Sequence, residues 1–376
     1  MTQTSIPCLF MRGGTSRGPF FDRADLPGDI PTRDRVLLAI MGSPDRRQID
    51  GMGGAHPLTS KVGIVGISNV PGVNLEFLFA QLQPDSDRVD TTANCGNMLA
   101  AVVPFALERG LVKAQGDVTT LRVLTLNTGM QCDITVQTPS SGDARHVEYA
   151  GATRIDGVPG QAAPIGINFL ETAGSVCSGL LPTGNRRDRI TLPDGVSLDV
   201  TCIDNGMPMV LIPASALGRT GSEPTSMLNA DDELKTQLEA LRLVCGDLMG
   251  LGDVSARNYP KMCLIASPLQ GGSIVTRCFI PHVCHDAIGV LAAVTVATAC
   301  VLTGTVADGL AEVSGGLKQT VSVEHPTGEF TLELGLESSP DGRDPTVTSA
   351  TLLRTARLLM RSEVFIPRVV WPGFMD

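Results

Sequence analysis

Two side chains, each beside an apolar run, have the types and surroundings for proton chemistry: Cys95 and Lys61. Cys95 stands in Asp90-Thr-Thr-Ala-Asn-Cys-Gly-Asn-Met98, at the mouth of the apolar run Met98-Leu-Ala-Ala-Val-Val-Pro-Phe-Ala-Leu107. That run reads as one buried helix stopped by Gly110, with Cys95 at or just before its first turn. Free N–H groups and the positive helix end favour a thiolate there. Asn94 precedes the thiol, and Gly96 and Asn97 would offer backbone N–H groups to an anion. Lys61 is the last polar residue before the strand Val62-Gly-Ile-Val-Gly-Ile67, after a loop rich in Gly, Pro and Asp. Half-buried at a strand mouth, a lysine can serve as a base. The bland readings are a small buried hydrophobe for the cysteine and a solvated cation for the lysine.

A third constellation is Met11-Arg-Gly-Gly-Thr-Ser-Arg-Gly18, which follows an apolar strand. Arg12, Thr15 and Ser16 in a glycine turn have the composition of an anion cradle. It is neither G-x-x-x-x-G-K-[ST] nor G-x-G-x-x-G, and a plain hairpin turn competes with it. Farther on, Arg277 lies in the strand-like Ser273–Phe279, and Cys284-His285-Asp286 precedes a second apolar run, Ala287–Leu302. His285 and Asp286 are expected to cap that run. Adjacent Cys284 and His285 do not have metal-ligand spacing, and no carboxylate cluster completes a set, so no metal is expected.

The elements that must position these groups follow from periodicity. A helix is expected over 32–42, with Thr32 as N-cap, and another over 230–248. Strands are expected near 6–11, 62–67, 74–83, 118–127, 131–137, 146–149, 165–169, 196–201, 209–212, 259–265, 273–279, 319–336 and 347–365. The two halves share one order: strands, a motif with Cys95 or Cys284, an all-apolar helix, more strands. A helix apolar all round is buried on every side. The expected fold is therefore α+β, with two similar β-rich domains each wrapped around a central helix. Their expected limits are 1–185, completed by about 355–376, and 186–354.

A net charge of −10 argues against a nucleic-acid surface, so any anion site must be a local island of positive charge. The ten cysteines include no C-x-x-C pair, and the first residues lack a signal-peptide pattern; reduced thiols and a cytoplasmic protein are expected. The second apolar run is too short for a membrane span, and a homodimer is the default assembly.

Further stretches complete the picture: Arg47-Gln-Ile-Asp-Gly-Met-Gly-Gly54, Leu58-Thr-Ser-Lys-Val62, Tyr149-Ala-Gly151, Ile155-Asp-Gly-Val-Pro-Gly160, Leu181-Pro-Thr-Gly-Asn185, Ile203-Asp-Asn-Gly-Met-Pro208 and His325-Pro-Thr-Gly-Glu329. With Arg12–Gly18 and Asn94–Asn97 they resemble the methylaconitate isomerase family, most closely its 4-oxalomesaconate tautomerase/isomerase branch. Arg17 stands where that family often has Lys. The resemblance implies a diaminopimelate-epimerase-like fold of two pseudo-symmetric domains, with the active site in the cleft between them. It implies a cofactor-free proton shift, keto–enol or allylic, in an unsaturated di- or tricarboxylate, as in the breakdown of aromatic acids. Lys61 and Cys95 would be the acid/base pair. Arg12, Thr15, Ser16, Thr59, Ser60, Asn94, Gly96, Asn97, Arg277 and His285 would hold the substrate. Three readings compete: a methylaconitate or aconitate isomerase, a racemase with Cys95 and Cys284 as paired thiols, and a polycarboxylate-binding protein without catalysis.

Overall fold

In the computed structural model, which describes residues 2–374 apart from 93, 143, 171, 193, 194 and 339–345, the chain opens on a hairpin. β1 (Gln3–Gly13) and β2 (Ser16–Asp22) are closed by Gly14 and Thr15, with Gly14 in the left-handed region at φ 51°. The other edge of β1 pairs antiparallel with the C-terminal strand Ala356–Pro367, from Gln3↔Pro367 to Gly13↔Ala356. The chain thus divides into one unit of Met1–Asn168 with Arg354–Asp376 and a second of Phe169–Leu353. The boundary falls earlier than 185/186 because the Leu181–Asn185 turn bonds forward. The Asp204 amide donates to the Leu180 carbonyl, and Thr183 and Asn185 donate to the Asp188 carboxylate.

In the first unit α1 (Ile30–Met41) is capped by Asp29, whose carboxylate accepts from the Thr32 amide; the expected cap, Thr32, is already inside the helix. β2 runs parallel to β3 (Lys61–Ile67), and β3 pairs antiparallel with β4 (Leu75–Leu82). Beyond β4 lie Val118–Thr125 and Gln131–Gln137, an antiparallel pair with strict alternation of burial, whereas residues 146–149, expected as a further strand, belong to none. Val62, Ile64, Ala80 and Leu82 pack under α1 on one face of the sheet. The other face closes on the central helix, where Phe20 meets Phe105 and Phe77 at ring-centroid distances of 5.8 and 6.5 Å.

That central helix is not continuous. It is α2 (Gly96–Leu99) and α3 (Val102–Glu108), with a turn at Ala100–Ala101. Pro104 explains the break: it has no N–H for the Ala100 carbonyl, and its ring would clash with that carbonyl in a regular helix. Both pieces stay in the core, with Met98 to Ala106 buried.

In the second unit strands that include Ser197–Asp204, Pro208–Pro213 and Lys318–His325 enclose the helix Val290–Val301. Its Thr295 and Thr298 are fully buried, and both bond Asn205. The Asn205 amide N–H donates to Thr295 Oγ1 and its Nδ2 to Thr298 Oγ1 at 2.7 Å; Thr172 donates to its Oδ1 at 2.6 Å. Asn205 thus has its bonds met inside the core, and Ile203–Pro208 is a structural lock rather than a ligand site. Each unit is β-rich around its own central apolar helix, so the α+β plan read from the sequence is the one the chain adopts.

Candidate active site

The β1–β2 hairpin is the frame. A Cβ on Gly13 would stand 2.3 Å from the Asn97 carbonyl oxygen, and a Cβ on Gly18 would stand 1.8 Å from the Lys61 carbonyl oxygen. Only glycine lets α2 and β3 approach this closely. The hairpin therefore seats the helix mouth against β1 and the start of β3 against β2. The turn adds a polar tie, Asn97 Nδ2 donating to Thr15 Oγ1 at 2.9 Å.

Cys95 is the N-cap of α2, with extended backbone at φ −124°, and its carbonyl accepts from the Leu99 amide. The N–H groups of Gly96 and Asn97 open the first turn, where a helix provides them no internal acceptor. Asn94 donates to Thr125 Oγ1 and Thr128 Oγ1, while its Oδ1 is buried with no partner among the described residues. Ser16 Oγ is likewise buried and unpartnered, on β2 between Gly14 and Gly18. Buried polar atoms are normally hydrogen-bonded, so two orphans near one helix mouth mark places where a bound group would complete the network.

Lys61 is 7 % exposed. Its ammonium nitrogen lies 2.5 Å from Gln81 Oε1 and 4.8 Å from the Phe79 ring centroid. Gln81 is its direct cross-strand partner. The Gln81 amide is itself oriented: Nε2 donates to the carbonyls of Pro57 and Ser60, which leaves Oε1 facing Lys61. No carboxylate pairs with Lys61 among the described residues. Lys61 points to the same sheet face as Gly63, which abuts Phe20 of the central core.

Sequence reasoning missed Gln81, although the signal was there: it follows Phe77 and Phe79 in a period-two row that is otherwise apolar. It also missed Arg354, where nothing local gives a hint. Arg354 is buried, and desolvation pushes its guanidinium down to about 10, with the nearby Cys95 thiol acting in the opposite direction.

Other expected residues are placed differently. Ser60 is fully buried and donates to Gln48 Oε1 at 2.7 Å, which also accepts from the Ala55 amide; its hydroxyl organises the preceding loop. Thr59 donates to the His56 carbonyl in the same loop. Arg12 does not join Lys61 and Cys95. It alternates with Gly13, so it turns to the face away from α2, where its NH1 donates to Gly14 O and to Thr355 O and Oγ1.

In the second unit Arg277 is buried, its Nε donating to the Glu223 carbonyl and its NH1 to the Thr276 carbonyl. Burial pushes this guanidinium below its usual range. The expected parallel between Cys284 and Cys95 fails. The helix Val290–Val301 starts at Gly289 with no side-chain cap. Cys284 lies in the apolar core, its amide donating to Asn229 Oδ1, and burial pushes its thiol up to about 12. His285 and Asp286 do not cap the helix either. The His285 ring is engaged by the Ala287 backbone, and Asp286 accepts from Thr225 Oγ1.

Residues 3–367 match the family model described as PrpF protein. The chain is 55 % identical to the 4-oxalomesaconate tautomerase of Pseudomonas putida, over 99 % of both chains. It is 51 % identical to the (4E)-oxalomesaconate Delta-isomerase of Novosphingobium sp. strain KA1, over 96 % of this chain and 98 % of that one. Its fold is similar to a crystal structure of methylitaconate-delta-isomerase, with a TM-score of 0.83 at 32 % identity, over 98 % of this chain and 97 % of that one.

Proposed function

The chain belongs to the PrpF family, and on that premise we propose that this isomerase moves a proton within 4-oxalomesaconate, using Lys61 and Cys95 as its acid/base pair. The chemistry asks for little machinery. One member of the pair takes a proton from a carbon beside a carbonyl or carboxylate. The C–H electrons pass into the conjugated system as a dienolate. The other member returns a proton two atoms along, and exchange with solvent resets the pair. No net oxidation occurs, and nothing besides a proton is transferred.

The observation that carries this reading is the setting of Lys61. It is buried, aimed by a neutral amide rather than a carboxylate, and its strand is seated on the same hairpin as the helix mouth of Cys95. The N–H groups of Gly96 and Asn97 would hold the developing enolate oxygen. The free acceptor of Asn94 and the free hydroxyl of Ser16 would take polar groups of the substrate. The setting of Cys284 speaks against a two-thiol racemase: a thiol held protonated in an apolar core is a poor base.

Proton NMR of 4-oxalomesaconate with the enzyme in D2O tests the reading. Deuterium should enter one carbon position with the wild type and with Cys284→Ala. With Lys61→Ala and Cys95→Ala the exchange rate should fall by about 10²–10⁴-fold. Exchange that survives both substitutions would remove the assignment of the pair. Exchange with 2-methylaconitate but not with 4-oxalomesaconate would replace the substrate and keep the mechanism.

A further inference from the structure

Three arginines stand side by side on the face of the first unit's sheet that turns away from the central helix. In the strand register Arg357 of Ala356–Pro367 is paired with Arg12 of β1, and Arg12 with Arg17 of β2. Directly paired residues point to one face, roughly 5 Å apart from strand to strand. Like charges placed opposite each other repel, so the sheet gains nothing from such a row. Among the described residues no carboxylate is ion-paired with any of the three, and the cavity of about 520 Å³ that they line has no Asp or Glu in its wall. Burial and the charge of Arg357 both hold the Arg12 guanidinium below its usual range.

The rest of the wall is built to complement an anion. Arg12 is held in place by NH1, which donates to Gly14 O and to Thr355 O and Oγ1. Arg17 lies over the Phe10 ring, 5.9 Å from its centroid. The opposite wall is the segment 149–162, which contributes Tyr149, Thr153 and Gln161; its one acid, Asp156, is not part of the wall. The nearby Glu108 is already engaged by Arg361 and by the Tyr149 hydroxyl. Lys61, Cys95 and Asn97 are absent from this wall. Two motifs with no place at the helix mouth, Tyr149-Ala-Gly151 and Ile155–Gly160, are accounted for here.

We propose that the Arg357–Arg12–Arg17 row is a binding site for a small multivalent oxyanion, a polycarboxylate or a phosphate, on the face of the sheet opposite Lys61 and Cys95. Arginine forks suit such groups, and one anion would cancel the repulsion along the row. The occupant would also brace the hairpin. The 149–162 segment meets the turn closely enough that a Cβ on Gly157 would stand 2.8 Å from Thr15 Cγ2, and Thr15 in turn holds Asn97.

The test uses tricarballylate, a saturated tricarboxylate that cannot undergo the allylic shift, and inorganic phosphate, each at constant ionic strength against chloride. Calorimetric titration and thermal melting are followed for wild type, Lys61→Ala, Arg17→Gln and Arg357→Gln. Binding with a raised melting temperature is expected in wild type and Lys61→Ala, with affinity at least tenfold weaker in each arginine variant. The tighter of the two ligands names the class. Equal affinity in wild type and both arginine variants would overturn the proposal, as would loss of all binding in Lys61→Ala, which would put the anion at the other face. If a variant fails to fold, the wild type alone decides. Tricarballylate or phosphate should protect Arg17 and Arg357 from phenylglyoxal, read by peptide mass mapping, and an absence of protection overturns the site.

Discussion

Lys61 depends on Gln81 for its direction. The amide is locked by two backbone carbonyls, so its oxygen has one place to point, and that place is the lysine. Gln81→Leu keeps the bulk and the strand but removes the anchor. The variant should lose kcat by roughly 10- to 100-fold, since a misplacement of about 1 Å costs that much, with KM little changed. A KM increase at unchanged kcat would instead make Gln81 a substrate ligand. At the same scale the cysteines sort by access. Cys95 and Cys177 are half-buried and the other eight are buried. Cys177 is pushed up to about 12 by burial and by the neighbouring Asp204. Iodoacetamide at pH 8 should therefore alkylate Cys95 first, in step with loss of activity. Peptide mapping that finds Cys177 labelled ahead of Cys95 would contradict the placement.

Among the elements, the hairpin matters more than the central helix. α2 has only four residues and ends where Pro104 forbids continuation, so its mouth is held by β1 and not by a long helix behind it. The contact between Gly18 and Lys61 is tighter still. Gly18→Ala would force β2 and β3 apart at the position that carries the lysine. Overpacking of this kind costs about 1–3 kcal/mol, and it should lower kcat beyond what the stability loss explains. Denaturant midpoint and initial rate, measured on the same preparation, separate the two effects. A variant that loses stability but keeps its rate would show that the strand contact does not position the lysine.

For the molecule as a whole, the buried thiols set an alkaline limit. Burial pushes Cys132 and Cys300 up to about 12, from an ordinary 9.0. Below pH 9 both folded and unfolded chains hold these protons, and stability is unaffected. Between pH 9 and 12 the unfolded chain releases them while the folded chain retains them. Stability therefore falls as pH rises, by up to about 1.4 kcal/mol per pH unit for each such thiol. Urea midpoints at pH 8, 9, 10 and 11 should be flat to pH 9 and then decline. Replacing Cys300 with Ala should flatten the decline; an unchanged slope would assign it to other groups.

Local pattern alone determined much of this protein. Period-two and all-apolar runs specify the strands and the two central helices because burial demands them. Cys95 next to glycine at a helix mouth, and Lys61 at a strand start, were legible because side-chain type and local backbone suffice to place them. Other features were decided only by tertiary structure. Asn205 is a core lock because two threonines 90 and 93 residues away close on it. Cys284 differs from Cys95 because the surrounding core, not its own helix, sets its environment. Arg12 reads like a partner of Thr15 and Ser16, yet a strand reverses direction with every residue. Only the register of three strands shows that it stands with Arg17 and Arg357 on the other face. Sequence neighbours share a motif; which face they share depends on strand pairings such as Arg12 with Arg357, from opposite ends of the chain.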